Sequence, residues 1–207
     1  MVQIVSSIHS GRTIEVGNAG ETYSEHLPRE HIPPHVHVRP HWMTLVSGAF
    51  LERSSGVLRL VLPGDEVYYA EDSPHEELFG RIRSVCLNLQ EPQSVRADAP
   101  SWVARARELA ESAEVGRVSD LAQAAGVHRA YLARRVKAQF NTSLRSLRRS
   151  ARLKQAAELV FTSDEPLGSI ALEAGYYDQS HLNRDMTRWS GFTPGELRRY
   201  ADQGRLG

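Results

Sequence analysis

One cysteine in 207 residues leaves nothing from which to build a disulfide framework. Cys86 lies in the apolar run Val85-Cys86-Leu87, which reads as a buried structural thiol. No stretch reaches the roughly 20 apolar residues that a membrane-spanning helix needs. The first nine residues lack a basic segment followed by a long apolar run, so no secretory signal is expected. Net charge is missing too, because 25 Lys+Arg balance 25 Asp+Glu. Hydrophobic residues, at 41%, suffice for an ordinary core, and the expectation is a soluble cytoplasmic protein without a membrane partner.

The zero balance conceals a division. Up to Val95 there are 7 Lys+Arg against 12 Asp+Glu, and from Arg96 onward 18 against 13. Seven of the 9 histidines fall in the acidic part. Between Val115 and Val160 ten basic residues face only Asp120 and Glu158. Such a concentration fits a phosphate-facing surface, although a solvated helix face has the same composition. Two domains with different partners are expected.

The first ninety residues read as β. Runs such as Met43 to Phe50 and Val57 to Leu62 are punctuated by Arg53-Ser54-Ser55-Gly56 and Pro63-Gly64-Asp65. Several short strands of this kind predict a sandwich or small barrel over 1–92. The stretch EPQSVRADAP (91–100) has no periodicity and carries two prolines, so a linker is placed at 93–100. Helical spacing then takes over through 101–207, with Ser101 as the cap of a helix to about Glu114. The expected class is α+β in two domains.

The helical part contains an internal repeat. Leu121-Ala122-x-x-Ala125-Gly126-Val127 is followed by Leu132 and Val136; Ile170-Ala171-x-x-Ala174-Gly175-Tyr176 is followed by Leu182 and Met186. In each copy a small residue lets two helices approach, a glycine makes the turn, and apolar residues hold the second helix. Two helix-turn-helix units are expected, about 118–140 and 167–190, with Ser119 and Asp178 as helix caps. A long helix from about Ser143 to Phe161 joins them. Leu144, Leu147, Ala151, Leu153, Ala157 and Val160 form its apolar side, opposite Arg145, Arg148, Arg149 and Arg152.

The run from Ile170 to Arg184 (IALEAGYYDQSHLNR), continuing through Gly191-Phe192-Thr193-Pro194 to Arg198, resembles the signature of the AraC/XylS regulators. Arg152-Leu153-x-x-Ala156 resembles that family's connector helix, and Leu132-x-Arg134-x-x-Lys137 its first recognition helix. The likeness extends over about 101–200, with Tyr177 in place of a small or acidic residue and Met186 in place of an aromatic. It implies a transcription regulator, not an enzyme, that binds double-stranded promoter DNA. Arg129, Ala130, Ala133 and Arg134 of the first unit, and Gln179, Ser180, Asn183 and Arg184 of the second, would then face the major groove. Arg pairs with guanine edges, and Gln or Asn with adenine. Lys137, Arg135, His181 and Arg188 suit phosphate contacts. Ion pairs of Arg134 or Arg184 with Glu173 or Asp185 are the competing reading. Tyr131, Leu132, Val136, Leu182, Met186 and Trp189 read as core. His128 occupies a place where the family has a small capping residue.

In the first half, His35-Val36-His37-x-x-x-His41-x6-Gly48 resembles the first cupin motif, with His41 where glutamate or glutamine is usual. Gly64, Asp72 and His75 fit the spacing of the second. The leading glycine of the first motif is replaced by Arg29, and Ala70 and Asp72 replace the proline and glycine of the second. The resemblance implies a cupin-like barrel in which His35, His37, His41 and His75 point inward as ligands for a divalent transition metal: zinc, nickel, copper or iron. A pocket for a small-molecule effector, holding no metal, is the alternative. His9, His26 and His31 lack partner spacing and read as surface or loop residues. Arg81 and Arg83 are placed on or beside a strand.

The leading reading is a regulator whose barrel receives a signal. A metal-dependent cupin enzyme with a DNA-binding appendage is a second, disfavoured by the missing glutamate ligand, and an adaptor that only dimerises is a third. RNA polymerase and a second copy of the chain are compatible partners. The sequence does not separate activator from repressor.

Overall fold

The computed structural model describes residues 3–5, 12–15, 22–89, 122–123, 126–140 and 142–205. The expected linker 93–100, the helix expected from Ser101, the Ser119 cap and His9 lie outside the described residues.

Ten strands come first: β1 (Gln3–Val5), β2 (Arg12–Glu15), β3 (Thr22–His26), β4 (His31–His37), β5 (His41–Ser47), β6 (Phe50–Ser54), β7 (Val57–Val61), β8 (Glu66–Tyr69), β9 (His75–Phe79) and β10 (Ser84–Leu89). They form two five-stranded sheets, ordered β1-β4-β9-β6-β7 and β2-β3-β10-β5-β8. Among the described strands all pairings are antiparallel except β1 with β4. Ile32, Phe50, Val61 and Phe79 of the first sheet meet Met43, Leu45, Val67, Tyr69 and Cys86 of the second in one apolar core. The expected run Met43 to Phe50 is two strands, because Gly48, at φ +85°, turns the chain where a Cβ would collide with Ser84.

Helices follow: α1 (Arg129–Phe140), α2 (Leu144–Thr162), α3 (Leu167–Glu173), α4 (Gln179–Ser190) and α5 (Pro194–Arg205). The long helix expected between the repeats is thus present as α2. It buries Leu144, Leu147, Leu153, Ala156, Ala157 and Val160. The duplicated glycines make the same turn twice. Gly126 (φ +64°) and Gly175 (φ +76°) are both left-handed. Gly126 N–H donates to Gln123 O and Val127 N–H to Ala122 O; Gly175 N–H donates to Leu172 O and Tyr176 N–H to Ala171 O. This is the Schellman pattern, in which a left-handed residue closes a helix by satisfying its last carbonyls.

By compactness the chain divides into one unit of Met1–Pro92 with Ala156–Gly207 and another of Gln93–Gln155. The first unit therefore holds both sheets and the segment α3–α5. Gly80 N–H donates to Ala49 O at 2.9 Å inside the sheets, and Arg81 N–H to Gly191 O at 3.4 Å beyond α4.

Several side chains depart from expectation. His26 is buried, its ring stacked on Phe79 with centroids 4.1 Å apart, because it occupies an inward position of β3. Tyr131 and Trp189 are not core: they are 41% and 38% exposed. Helical spacing puts both at the margin of the buried stripe instead of its centre. Arg81 and Arg83, by contrast, lie beside strands as expected, in the turn between β9 and β10.

Candidate functional site

Two clusters of candidate residues take shape. The first is on the helices. In α4 the side chains of Gln179, Ser180, Asn183, Arg184 and Arg188 are exposed, whereas Leu182 and Met186 are fully buried. The exposed set recurs every three to four residues, which places it on one face. Asp178 stands in extended conformation before the helix, and its Oδ1 accepts from His181 N–H at 2.6 Å, so the start of that face is capped as expected. Gly191, at φ +71°, ends it and donates to Thr187 O. Arg188 lies over the Trp189 ring, 5.3 Å from its centroid.

In α1, Arg129, Ala130, Ala133, Arg134 and Lys137 are exposed and Leu132 and Val136 buried. Arg135 and His181 are half-buried. His128 replaces a small capping residue by doing its work: ring Nδ1 accepts from Ala130 N–H at 3.3 Å. Neither Arg134 nor Arg184 forms an ion pair among the described residues. Both guanidiniums are therefore open to water.

The second cluster is inside the sheets. Alternation along β4 turns His35 and His37 to one side, where His75 at the start of β9 and His41 at the start of β5 meet them; all four are buried. One ring nitrogen from each of His35, His37 and His75 lies within 4.8 Å of the others. His41 approaches His37 with ring centroids 4.5 Å apart, outside that trio.

The hydrogen bonds fix the tautomers of two rings. His35 Nδ1 faces Pro33 O and His75 Nδ1 faces Ser73 O, both at 3.0 Å. A carbonyl only accepts, so each Nδ1 carries the proton and each Nε2 offers a lone pair. The Nε2 of His75 is buried with no hydrogen-bond partner among the described residues. Burial lowers the pKa of His35 and His41 and takes that of His75 to about 4, so these imidazoles are neutral at neutral pH. Neutral imidazoles with Nδ1 bonded to a backbone carbonyl are the usual form of a metal-binding histidine.

Sequence reasoning missed the polar layer beside this cluster. Tyr69 stacks on His75, with centroids 4.2 Å apart, and its hydroxyl donates to Glu77 Oε1 at 2.6 Å. Glu77 and Glu52 face each other across β9 and β6 and are both buried; Glu52 is paired with Arg59. Burial pushes Glu77 up to about 7, against the pull of the Tyr69 hydrogen bond. The period-two spacing His75-x-Glu77 was the available signal.

Comparison with known proteins bears on the helices. Residues 121–200 match the family model described as a helix-turn-helix domain. No curated protein matches the chain. Among solved structures, the chain is similar to the C-terminal domain of AraT, a response regulator from Geobacillus stearothermophilus, at 25% identity and TM-score 0.45, covering 50% of this chain and 88% of that one. It is also similar to a transcriptional regulator with an AraC-type DNA-binding domain from Chromobacterium violaceum, at 25% identity and TM-score 0.47, covering 49% and 93%. A third is the DNA-binding domain of AdpA in complex with a target DNA, at 27% identity and TM-score 0.43, covering 51% and 93%. Among the described residues no helix is long and apolar enough to cross a membrane. Over residues 121–200, then, the chain carries a helix-turn-helix domain.

Proposed function

We propose that this protein is a sequence-specific, DNA-binding transcription regulator whose two helix-turn-helix units read promoter DNA, and whose cupin-like β-domain answers to a divalent transition metal. The observation that carries the DNA reading is the face of α4, where Gln179, Ser180, Asn183 and Arg184 are exposed together on a helix capped at both ends. Arg184 would bond a guanine edge, and Gln179 and Asn183 adenine edges. Arg129, Ala130, Ala133 and Arg134 would do the same work from α1. Lys137 and Arg188 would hold phosphates, which fixes register and makes affinity depend on salt.

His35, His37 and His75 would hold the metal through nitrogens whose tautomers, in two cases, are set by backbone carbonyls. Bound there, a divalent ion would supply a fixed positive charge and cross-link β4 to β9. His41, whose ring centroid lies 4.5 Å from that of His37, would be the fourth donor. The alternative occupant, a small organic effector, would use the same polar interior without a metal.

The test combines selection of duplexes from a random pool with elemental analysis of the purified protein. The expected result is one preferred sequence, bound with a steep salt dependence, and near-stoichiometric metal in wild type but not in His35→Ala/His75→Ala. Salt-independent binding, or none to any duplex, overturns the DNA reading. Absent metal in a protein that still responds to a small molecule overturns the metal reading, and turnover of a substrate by the metal-loaded protein would make it an enzyme instead.

A further inference from the structure

The geometry points to a positioning role for Arg29, Arg81 and Glu196: they lock the second helix-turn-helix unit onto the β-domain, so that a strand ending at the DNA-reading helix begins at the histidine cluster. This deepens the proposed function, on which it rests.

The contact is built from backbone as well as charge. A Cβ on Gly80 would collide with the Ser190 carbonyl oxygen, and one on Gly191 with the Arg81 backbone nitrogen. Only glycine lets the end of β9 and the end of α4 come so close. Beside them, Glu196 Oε1 accepts from Arg29 Nη2 at 2.7 Å and from Arg81 Nη2 at 2.8 Å. Its other oxygen accepts from Thr193 N–H at 2.7 Å and from the Thr193 hydroxyl at 3.1 Å. Glu196 N–H in turn donates to Thr193 Oγ1, which completes a capping box at the start of α5. One carboxylate therefore both caps α5 and receives two arginines from turns of the β-domain.

Arg29 explains a departure in the sequence. It replaces the glycine expected at the head of the first histidine motif, and its backbone is left-handed at φ +65°, a conformation glycine takes more easily. What glycine lacks is the guanidinium that reaches Glu196 and lies 5.6 Å from the Phe192 ring centroid. A second tie runs in parallel. Arg53 on β6 donates to Glu76 on β9 at 2.8 Å and to the Tyr200 carbonyl on α5 at 2.7 Å.

Strand β9 is the common member. His75, at its start, belongs to the histidine trio; Glu76 holds Arg53; Gly80 and Arg81, just past its end, seat the C-terminus of α4. The docked arrangement leaves Gln179, Ser180, Asn183, Arg184 and Arg188 exposed. The β-domain thus aims the reading face without covering it.

The experiment uses the full chain, a duplex selected by wild type from a random pool, and the variant Arg29→Gln/Arg81→Gln, which leaves the Glu196 cap intact. Amide exchange across 179–205 is expected to accelerate about tenfold while strands β3–β10 keep their protection, and DNA affinity to fall by a similar factor, roughly 1.4 kcal/mol. Arg29→Lys/Arg81→Lys should recover most of both. Combining Arg29→Gln/Arg81→Gln with Glu196→Gln should add nothing to Glu196→Gln alone, since the pairs are then already broken. Unchanged exchange, uniform acceleration throughout the protein, or faster exchange with unaltered DNA affinity each overturns the positioning role. A wild type that binds no duplex fails at the selection step and removes the DNA reading and this role together. A wild type that binds, with variants that bind equally, removes only this role.

Discussion

His35 and His75 stand directly opposite each other in the β4–β9 antiparallel pair, with ring centroids 4.3 Å apart, and each turns Nδ1 toward the carbonyl two residues before it. The symmetry leaves both Nε2 lone pairs free to face a shared ion.

Metal should therefore stabilise the β-domain. Zinc at a hundredfold excess over its dissociation constant adds about 2.7 kcal/mol to a protein that binds it only when folded. Thermal unfolding with zinc against a chelator is expected to show a rise in Tm for wild type and for His31→Ala, whose ring is exposed and outside the trio. His75→Ala should show none. An equal rise in His75→Ala would place the ion elsewhere.

On the helices, Arg184→Ala should cost about 1–3 kcal/mol of discrimination at one base position. Lys137→Ala should instead weaken binding to all sequences alike and flatten the salt slope by about one unit. Competition assays with single-base variants of the selected duplex separate the two behaviours. Uniform loss in Arg184→Ala would reassign it to a phosphate.

Gly80→Ala places a methyl against the Ser190 carbonyl, and overpacking of this kind costs about 1–3 kcal/mol. Gly195→Ala meets nothing within 4 Å in the first turn of α5 and should be stabilising by about 0.5 kcal/mol, through the unfolded chain. Denaturant midpoints of the two variants are expected to move in opposite directions.

Glu196 has its pKa below the ordinary carboxylate value. Burial raises it, but the Thr193 N–H and the Arg29 guanidinium lower it more. A depressed folded value means that the stabilisation is present above the unfolded value, near 4.5, and is lost as pH falls through the folded one. Protection of α5 amides should thus decline on acidification below about pH 5. Glu196→Gln has no such group, so its α5 protection should lack that decline; matching profiles would exclude Glu196 as the source.

Glu77 carries the opposite sign. Its folded value, raised by burial to about 7, means that its contribution is full below 4.5 and lost as pH rises through 7. In chelator, Glu77→Gln should gain stability relative to wild type between these limits and level off above them. Tm difference curves measure this directly, and a difference independent of pH would show that Glu77 does not titrate in that window.

How far the sequence alone reached depended on sequence distance. The turns at Gly126 and Gly175, the cap at Asp178 and the buried pair Leu182 and Met186 are set within five residues of one another, so spacing revealed them. The histidines were legible through two-residue alternation on β4. His26 was not, because its burial depends on Phe79, which β9 brings across from the other sheet. Tyr131 and Trp189 were misplaced because a helical stripe has margins that periodicity does not locate.

By itself the sequence determined the β-rich and helical halves, the duplicated glycine turns and the chemical types of the two candidate sites. All of these follow from contacts between near neighbours along the chain. The tertiary structure decided which of those residues meet. It set His35 against His75, 40 positions apart by number, Tyr69 against Glu77, and Arg29 and Arg81 on Glu196 across separations of 167 and 115 residues. Strand register and the close approach of two glycines fix those pairs. Both depend on the whole packed unit and leave no periodic trace in the sequence.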